Sequence, residues 1–175
     1  GCTHRSGGNM HPRRECIDAG ENMSTLSSRF PEVPLAAFGF LLHFAWEMMQ
    51  VPWFDGMLEA SHGTVVWLCT RATFGDVVIM VFAFWVGSWT VRSRTWVVAR
   101  FWRPVLVTIA TGLLITVVFE WMATGMLDRW SYADTMHVVP GVGIGLTPFL
   151  QWLLLPPLVL WLTRNHILGS VASDK

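Results

Sequence analysis

Three polar residues that could handle a proton share one face of the first strongly apolar segment. His43, Glu47 and Gln50 are spaced i, i+4 and i+7, which places them on the same side of a helix. An ionisable side chain inside a membrane helix costs about 3 kcal/mol, so such residues are rare and usually functional. The pattern therefore predicts a site in which an imidazole, a carboxyl group and an amide lie together.

A second carboxyl group, Glu120, lies in another apolar segment. Glu47 precedes Trp53 by six residues and Glu120 precedes Met126 by six. At the helical rise, each carboxyl is therefore about 9 Å from the same end of its helix. Two carboxyl groups at one depth could divide acid and base roles if their surroundings differ. We interpret Glu47, Glu120 and His43 as candidate catalytic residues.

The same residues also have structural interpretations. A buried glutamate can be protonated or hydrogen-bonded, or can pair with His43 or Arg129, and so hold helices together. His43 could equally be a core histidine bonded to a backbone carbonyl. Asp76 follows Gly75 and is expected to cap a helix, and Asp134 could cap the last helix.

Aromatic and polar side chains at the same depth could bind a substrate. Tryptophan rings can stabilise a cation, and guanidinium groups can hold a lipid phosphate. The amides have an alternative role, since glutamines often hydrogen-bond between membrane helices. The candidate substrate-binding residues are Trp46, Gln50, Trp121, Arg129, Trp130, Tyr132 and Gln151.

A copper site is an alternative interpretation of the same region, because thioether and imidazole groups suit that metal. The available groups are His43, Glu47, His62, Asp76, Glu120, His137, Met48, Met49, Met57, Met122, Met126 and Met136. Their spacing matches no ligand signature, and methionine is also common core filler. No metal ligand is therefore predicted, and the sequence indicates no cofactor.

Four apolar segments could position these residues across a bilayer. The chain is 53% hydrophobic and 14% charged, with a mean hydropathy of +0.45. A bilayer core needs about 20 apolar residues of helix. The segments are 35–53, 76–91, 104–126 and 138–163, and the last could begin without helix because of its glycines. We expect an all-α bundle of four transmembrane helices, formed by residues 23–175 as one domain.

Positive charges at the segment ends predict the orientation. From Met23 onward, seven lysines or arginines fall on the side that holds both termini, and two fall on the other side. The seven are Arg29, Arg92, Arg94, Arg100, Arg103, Arg164 and Lys175, and the two are Arg71 and Arg129. Cytoplasmic loops are enriched in positive charge. Both termini are therefore expected in the cytoplasm, with the polar residues in the outer half of a bacterial inner membrane.

Residues 1–22 differ from the rest of the chain and hold no apolar run. The codons for Gly20-Glu21 can spell a ribosome-binding sequence, so Met23 could be the true start; a disordered tail is the alternative. Cys2 and Cys16 lie in this stretch, which leaves Cys69 without a disulfide partner in the body.

Several short motifs are spread along residues 35–164. The first half carries Trp46-Glu47 with Gln50 and Pro52, then His62 and Gly75-Asp76. The second half carries Glu120, Trp130-x-Tyr132 with Met136, and Gly143-x-Gly145-Leu146-x-Pro148 with Gln151. Together they resemble a family of small bacterial four-helix membrane proteins with no assigned function. That family has proline after the methionine where this chain has His137, which argues against His137 as a ligand. The resemblance implies the topology and no activity.

Several function classes follow from these features. Twelve basic residues balance twelve acidic ones, so no net charge attracts nucleic acid. The first hypothesis is an intramembrane enzyme or binding protein for an apolar lipid or isoprenoid, using glutamate acid–base chemistry. The second is a non-enzymatic subunit that oligomerises or docks a membrane partner. The third is a metal- or proton-handling component.

Overall fold

The computed structural model describes residues 30–99 and 101–173, and this part of the chain is all-α. It contains four helices: α1 (Glu32–Gln50), α2 (His62–Val91), α3 (Trp102–Trp121) and α4 (Leu146–Ser173). A 3₁₀ turn, Val51–Trp53, follows α1, and a π-helical turn, Met122–Met126, follows α3. The expectations for residues 1–22, Met23, Arg29, Arg100 and Lys175 lie outside the described residues.

Three helices of the described chain are long and apolar enough to cross a membrane. They cover His62–Val91, Trp102–Met126 and Leu146–Ser170. Helix α1 has 19 residues and does not belong to this set. Its polar residues His43, Glu47 and Gln50 lower its hydropathy. The prediction of a helical membrane protein is confirmed to this extent.

The four helices form a square bundle. Helix α1 packs against α2 and α4, and α3 packs against the same two helices. Helices α1 and α3 therefore occupy opposite corners, as do α2 and α4. Side chains from different corners can meet at the bundle axis.

Helix α2 begins earlier than predicted, so the interpretation of Asp76 as an N-cap is wrong. Ser61 caps the helix instead, since its side chain accepts a hydrogen bond from the Thr64 backbone N–H. The hydroxyls of Thr70 and Thr73 bond to carbonyls one turn back, at 2.7 and 2.8 Å. Each hydroxyl thus has a hydrogen-bond partner within the helix itself. Asp76 consequently lies in the middle of a 30-residue helix.

Helix α4 begins later than the fourth predicted segment, at Leu146. Gly141 and Gly143 adopt positive φ angles of 79° and 78°. A right-handed helix requires negative φ angles, so these residues cannot belong to one. The non-helical beginning that the glycines predict is therefore confirmed. Asp134 lies in the loop well before α4, so its predicted capping role is wrong.

A close approach joins α3 to α4. Gly112, Thr116 and Glu120 are buried on one face of α3, as their spacing predicts. A Cβ atom on Gly112 would lie 2.1 Å from the ring of Trp152. Trp152 therefore packs directly on the glycine backbone, where no larger residue fits.

An apolar core closes one end of the bundle. Trp96, from the loop between α2 and α3, stacks on Phe84 with ring centroids 5.2 Å apart. Its indole N–H donates to the Ser88 hydroxyl at 3.0 Å. The buried residues of this core are Leu35, Met80, Phe84, Trp96, Val97, Trp152, Val159, Leu160 and Ile167.

The other end is covered by two loops that pair with each other, and we call residues 53–60 and 127–145 the loop cap. The Asp55 N–H donates to the Ser131 carbonyl at 3.0 Å, and the Ala133 N–H donates to the Trp53 carbonyl at 3.0 Å. Phe54 and Tyr132 form an isolated antiparallel bridge between the loops. This pairing fixes the position of Tyr132 above the bundle.

Candidate functional site

Side chains from α1, α2 and α4 meet at the bundle axis in one hydrogen-bonded group. We call His43, Glu47, Asp76 and Gln151 the axial cluster. Gln151 Nε2 lies 2.9 Å from His43 Nδ1, 3.2 Å from Glu47 Oε1 and 3.0 Å from Asp76 Oδ2. His43 Nδ1 also lies 3.4 Å from Asp76 Oδ2. His43 is fully buried and Gln151 nearly so, so the cluster is an interior feature.

The contacts of the axial cluster leave one nitrogen of the imidazole free. Gln151 Nε2 carries two hydrogens and lies within hydrogen-bond distance of three atoms. With the ring hydrogen on Nε2, His43 Nδ1 accepts from Gln151; with the hydrogen on Nδ1, it donates to Asp76. His43 Nε2 itself is buried without a hydrogen-bond partner among the described residues.

The axial cluster has no fixed cation. Within residues 30–99 and 101–173 the ion pairs are His43–Asp76 and Arg94–Glu32. Glu47 and Asp76 therefore have His43 as their basic neighbour and no arginine or lysine. Two carboxyl groups therefore lie together in the bundle with an imidazole and an amide as their polar partners.

Glu120 forms a second group with the loop cap. The Tyr132 hydroxyl donates to Glu120 Oε2, and Trp130 Nε1 lies 3.5 Å from the same oxygen. Burial, and then the nearby Glu120 carboxyl, raise the pKa of Tyr132 above its ordinary range. The phenol therefore stays protonated and donates. Glu120 is hydrogen-bonded, as one of its structural interpretations expects, and its partners are these two residues rather than His43 or Arg129.

Glu47 and Glu120 belong to separate hydrogen-bonded groups. Glu47 bonds to Gln151 at the axis, whereas Glu120 bonds to Tyr132 and Trp130. Glu120 is near enough to Asp76 for their charges to interact. The predicted acid–base pair is thus arranged as two neighbouring sites rather than as two facing carboxyl groups.

A glycine lets Tyr132 reach Glu120. A Cβ atom on Gly145 would lie 3.0 Å from Tyr132 Cε1 and 3.1 Å from the Met136 sulfur. Phe54 packs against the other side, with ring centroids 5.7 Å apart. The phenol is therefore held between the start of α4 and the loop that follows α1.

An apolar cavity of about 250 Å³ lies beside the axial cluster, one helical turn nearer to the loop cap. Gln50, one turn from Glu47, contributes to its wall, and so does Leu150, the neighbour of Gln151. A cavity of about 150 Å³ can hold benzene, so this one is large enough for a larger apolar group. The apolar lining residues are Trp46, Met49, Trp53, Met136, Leu146 and Leu150, and the polar ones are Gln50, His137 and Thr147.

The cavity wall is braced between α1 and α4. The indole N–H of Trp46 donates to the Thr147 carbonyl at 3.2 Å. The Thr147 hydroxyl in turn contacts the Met136 sulfur at 3.7 Å. The cavity is therefore formed by side chains whose positions are held by hydrogen bonds.

Eight of the ten predicted site residues lie in three groups, and the other two lie outside these groups. His43, Glu47 and Gln151 lie in the axial cluster, Trp46 and Gln50 line the cavity, and Glu120, Trp130 and Tyr132 form the second group. Trp121 is half exposed and donates to the Val142 carbonyl at 2.7 Å, which ties α3 to the loop cap. Arg129 is exposed, and its backbone N–H bonds to Ala123.

Asp76 is the functional residue that sequence reasoning missed. The signal was present, because Cys69, Thr73, Asp76 and Met80 are spaced i, i+4, i+7 and i+11. This period marks one continuous helix face that crosses the predicted start of α2. Asp76 on that face points toward the axis.

Among the described residues, no group of three or more His, Cys, Asp or Glu is arranged to hold a metal ion. The copper interpretation therefore gains no support from this geometry. No family model, curated protein or solved structure matches the chain.

Proposed function

We propose that this protein binds an apolar, lipid- or isoprenoid-like molecule beside the axial cluster and performs acid–base chemistry on it. The observation that carries this proposal is the meeting of His43, Glu47, Asp76 and Gln151 next to an apolar cavity. Ligand sites are typically apolar pockets with a few convergent polar groups. An acid–base cluster in such a place suits a substrate drawn from the membrane.

Each member of the axial cluster has a role in this proposal. His43 Nε2 accepts a proton, and Asp76 holds the imidazole in the required tautomer. Glu47 lies one turn from the cavity wall at Gln50 and exchanges a proton with the ligand. Gln151 holds both carboxyl groups and the imidazole in place through its amide. Glu120 with Tyr132 supplies a second proton site beside Asp76.

The membrane topology belongs to the same proposal. Helix α1 crosses the bilayer together with the three more apolar helices, and both termini face the cytoplasm of a bacterial inner membrane. The distribution of charge supports this orientation, since cytoplasmic ends are enriched in positive charge. Arg92, Arg94, Arg103 and Arg164 lie at or near the closed end of the bundle, whereas the loop cap carries Asp55, Glu59, Asp128, Asp134 and Arg129.

The test is to identify the molecules that purified protein retains. Protein in mild detergent is extracted with organic solvent, and the extract is analysed by chromatography and mass spectrometry. We expect an apolar compound that is enriched over bulk lipid in the wild type and in Glu59→Gln. Glu59 is an exposed carboxyl of the loop cap, so this variant is the matched control. The compound should be lost in Glu47→Gln and in His43→Gln.

Folded wild-type protein that retains only bulk lipid, in the same amounts as both cluster variants, would contradict the proposal. Circular dichroism of each variant shows whether the helices remain intact. If a cluster variant unfolds, the cavity-filling change Met49→Trp replaces it, because Met49 lines the cavity and lies outside the axial cluster.

A second candidate is a non-enzymatic membrane subunit whose polar residues hold the bundle together or dock a partner. It is favoured by Gln151, whose single amide nitrogen joins α4 to α1 and α2. In this case the same substitutions lower stability or partner recovery without changing any bound compound. The extraction experiment therefore separates the two functions.

A further inference from the structure

Resting on the function proposed above, we infer that the bound molecule carries a positively charged head group that donates hydrogen bonds. The site takes a protonated long-chain amine. Its ammonium group lies at Glu47 and Asp76, and its apolar chain lies in the cavity.

A buried acceptor without a donor points to such a head group. Among the described residues, Gln50 Oε1 has no hydrogen-bond partner, and Gln50 is 5% exposed and lines the cavity. It lies one turn after Glu47 on the same face of α1. An ammonium group has three N–H donors and can serve both this oxygen and the Glu47 carboxyl, whereas a hydroxyl has one.

The charges around the site select a cation. Glu47 and Asp76 face each other across the Gln151 amide, and Glu120 lies within electrostatic reach of Asp76. No lysine or arginine of the described residues forms an ion pair with any of them. A phosphate or carboxylate head group needs such partners and would be repelled here. A cation supplies the charge that the three carboxyl groups lack.

The lining of the cavity matches the apolar chain of the amine. Trp46 and Trp53 line it, and indole rings attract ammonium groups through their faces. Met49, also in the wall, is 67% exposed, so that side of the cavity opens on the outer surface of the bundle. A chain longer than the cavity can therefore continue into the surrounding lipid.

The experiment is isothermal titration calorimetry of the full chain in phosphatidylcholine nanodiscs. The probes are dodecylammonium, dodecanol and dodecanoate, which share one chain and differ in head group. We expect dodecylammonium to bind about 10-fold more tightly than dodecanol, and dodecanoate not to bind above the lipid background.

Two variants and one control locate the site. Glu47→Gln removes the charge and should weaken dodecylammonium binding about 10-fold. Met49→Trp fills the cavity and should weaken all binding while leaving the axial cluster intact. Glu59→Gln removes an exposed carboxyl of the loop cap and should bind as the wild type does.

Three results would overturn the inference. Equal affinity for dodecanol and dodecylammonium would show that charge is not recognised. Dodecylammonium affinity that is the same in wild type, Glu47→Gln and Met49→Trp would be adsorption to the bilayer. Absence of dodecylammonium binding would also overturn it. In each case the proposed function still stands if extracts contain a neutral apolar compound that Glu47→Gln loses, and it fails with the inference if they contain none.

Discussion

The amide nitrogen of Gln151 lies 3.0 Å from the Asp76 carboxylate, although these residues belong to helices at opposite corners of the bundle. The contact therefore crosses the bundle axis. The same nitrogen reaches His43 and Glu47 on a third helix. One amide thus couples three of the four helices at the depth where the cavity begins.

Replacing this amide should destabilise the bundle. Gln151→Leu keeps the approximate shape but leaves Glu47 and Asp76 without their shared donor. We expect a loss of about 1–3 kcal/mol in the free energy of unfolding, the usual cost of unpaired buried polar groups. Unfolding in a denaturing detergent, followed by circular dichroism, measures the loss. Asn165→Ala, at an exposed position of α4, is the control. Equal stability of wild type and Gln151→Leu would show that the hydrogen bonds are not stabilising.

A matched pair of glycines tests the approach of α3 to α4. Gly112→Ala places a Cβ atom 2.1 Å from the Trp152 ring, so the ring must move. Overpacking of this kind costs about 1–3 kcal/mol. Gly75→Ala meets nothing within 4 Å and lies inside α2, so it should be neutral or stabilising. Thermal unfolding compares the two, and a stable Gly112→Ala protein would contradict the packing described for Trp152.

Tyr132 can be titrated without interference from other tyrosines, because the chain contains one. Burial, and then the Glu120 carboxyl, raise its pKa above the ordinary value of about 10. Near pH 10 the folded protein should therefore show little tyrosinate absorbance, and the denatured chain should show much more. Because the phenol ionises first in the unfolded chain, the contribution of Tyr132 to folding stability should be constant below this pH and should be lost as pH rises through it.

Glu120→Gln provides the control for that titration. Burial is the largest single cause of the raised pKa and remains in this variant, so the pKa of Tyr132 should fall only part of the way toward its ordinary value. A tyrosinate titration identical in folded and denatured wild-type protein would show that the phenol is not buried against Glu120.

Gly145 should be required for the position of Tyr132. In Gly145→Ala the new methyl group would lie 3.0 Å from the phenol ring and must displace it from Glu120. We expect tyrosinate to form at lower pH than in the wild type. Gly63→Ala, which meets nothing within 4 Å, should leave the titration unchanged. A wild-type titration in Gly145→Ala would instead mean that Met136 yields and the ring stays.

Helix periodicity predicts which residues share a face, and here it correctly groups His43 with Glu47 and orients Gln50 beside them. It also predicts the buried stripe Gly112, Thr116 and Glu120, which the structure confirms. Both predictions depend only on spacing along a single helix. Contacts within one face can therefore be read from the sequence.

Contacts between faces could not be predicted in the same way. Gln151 is 108 residues from His43 and 75 from Asp76, and nothing local specifies that these faces meet. Asp76 is predicted at a helix start because it follows Gly75, a residue that is common at helix boundaries. In the structure the helix runs through Gly75, and it begins fourteen residues earlier, at His62. The pairing of Glu120 with Tyr132 depends likewise on a loop that glycines allow to fold back.

Native mass spectrometry of the intact protein tests the central claim most directly, because it counts bound molecules. Three proteins are compared in the same detergent: wild type, Met49→Trp and Leu41→Trp. Met49 lines the cavity, whereas Leu41 is 64% exposed on the same helix and lies about two turns away. We predict an adduct of defined mass on wild type and Leu41→Trp that Met49→Trp lacks. Equal adducts on all three proteins, or none on any, would contradict the account.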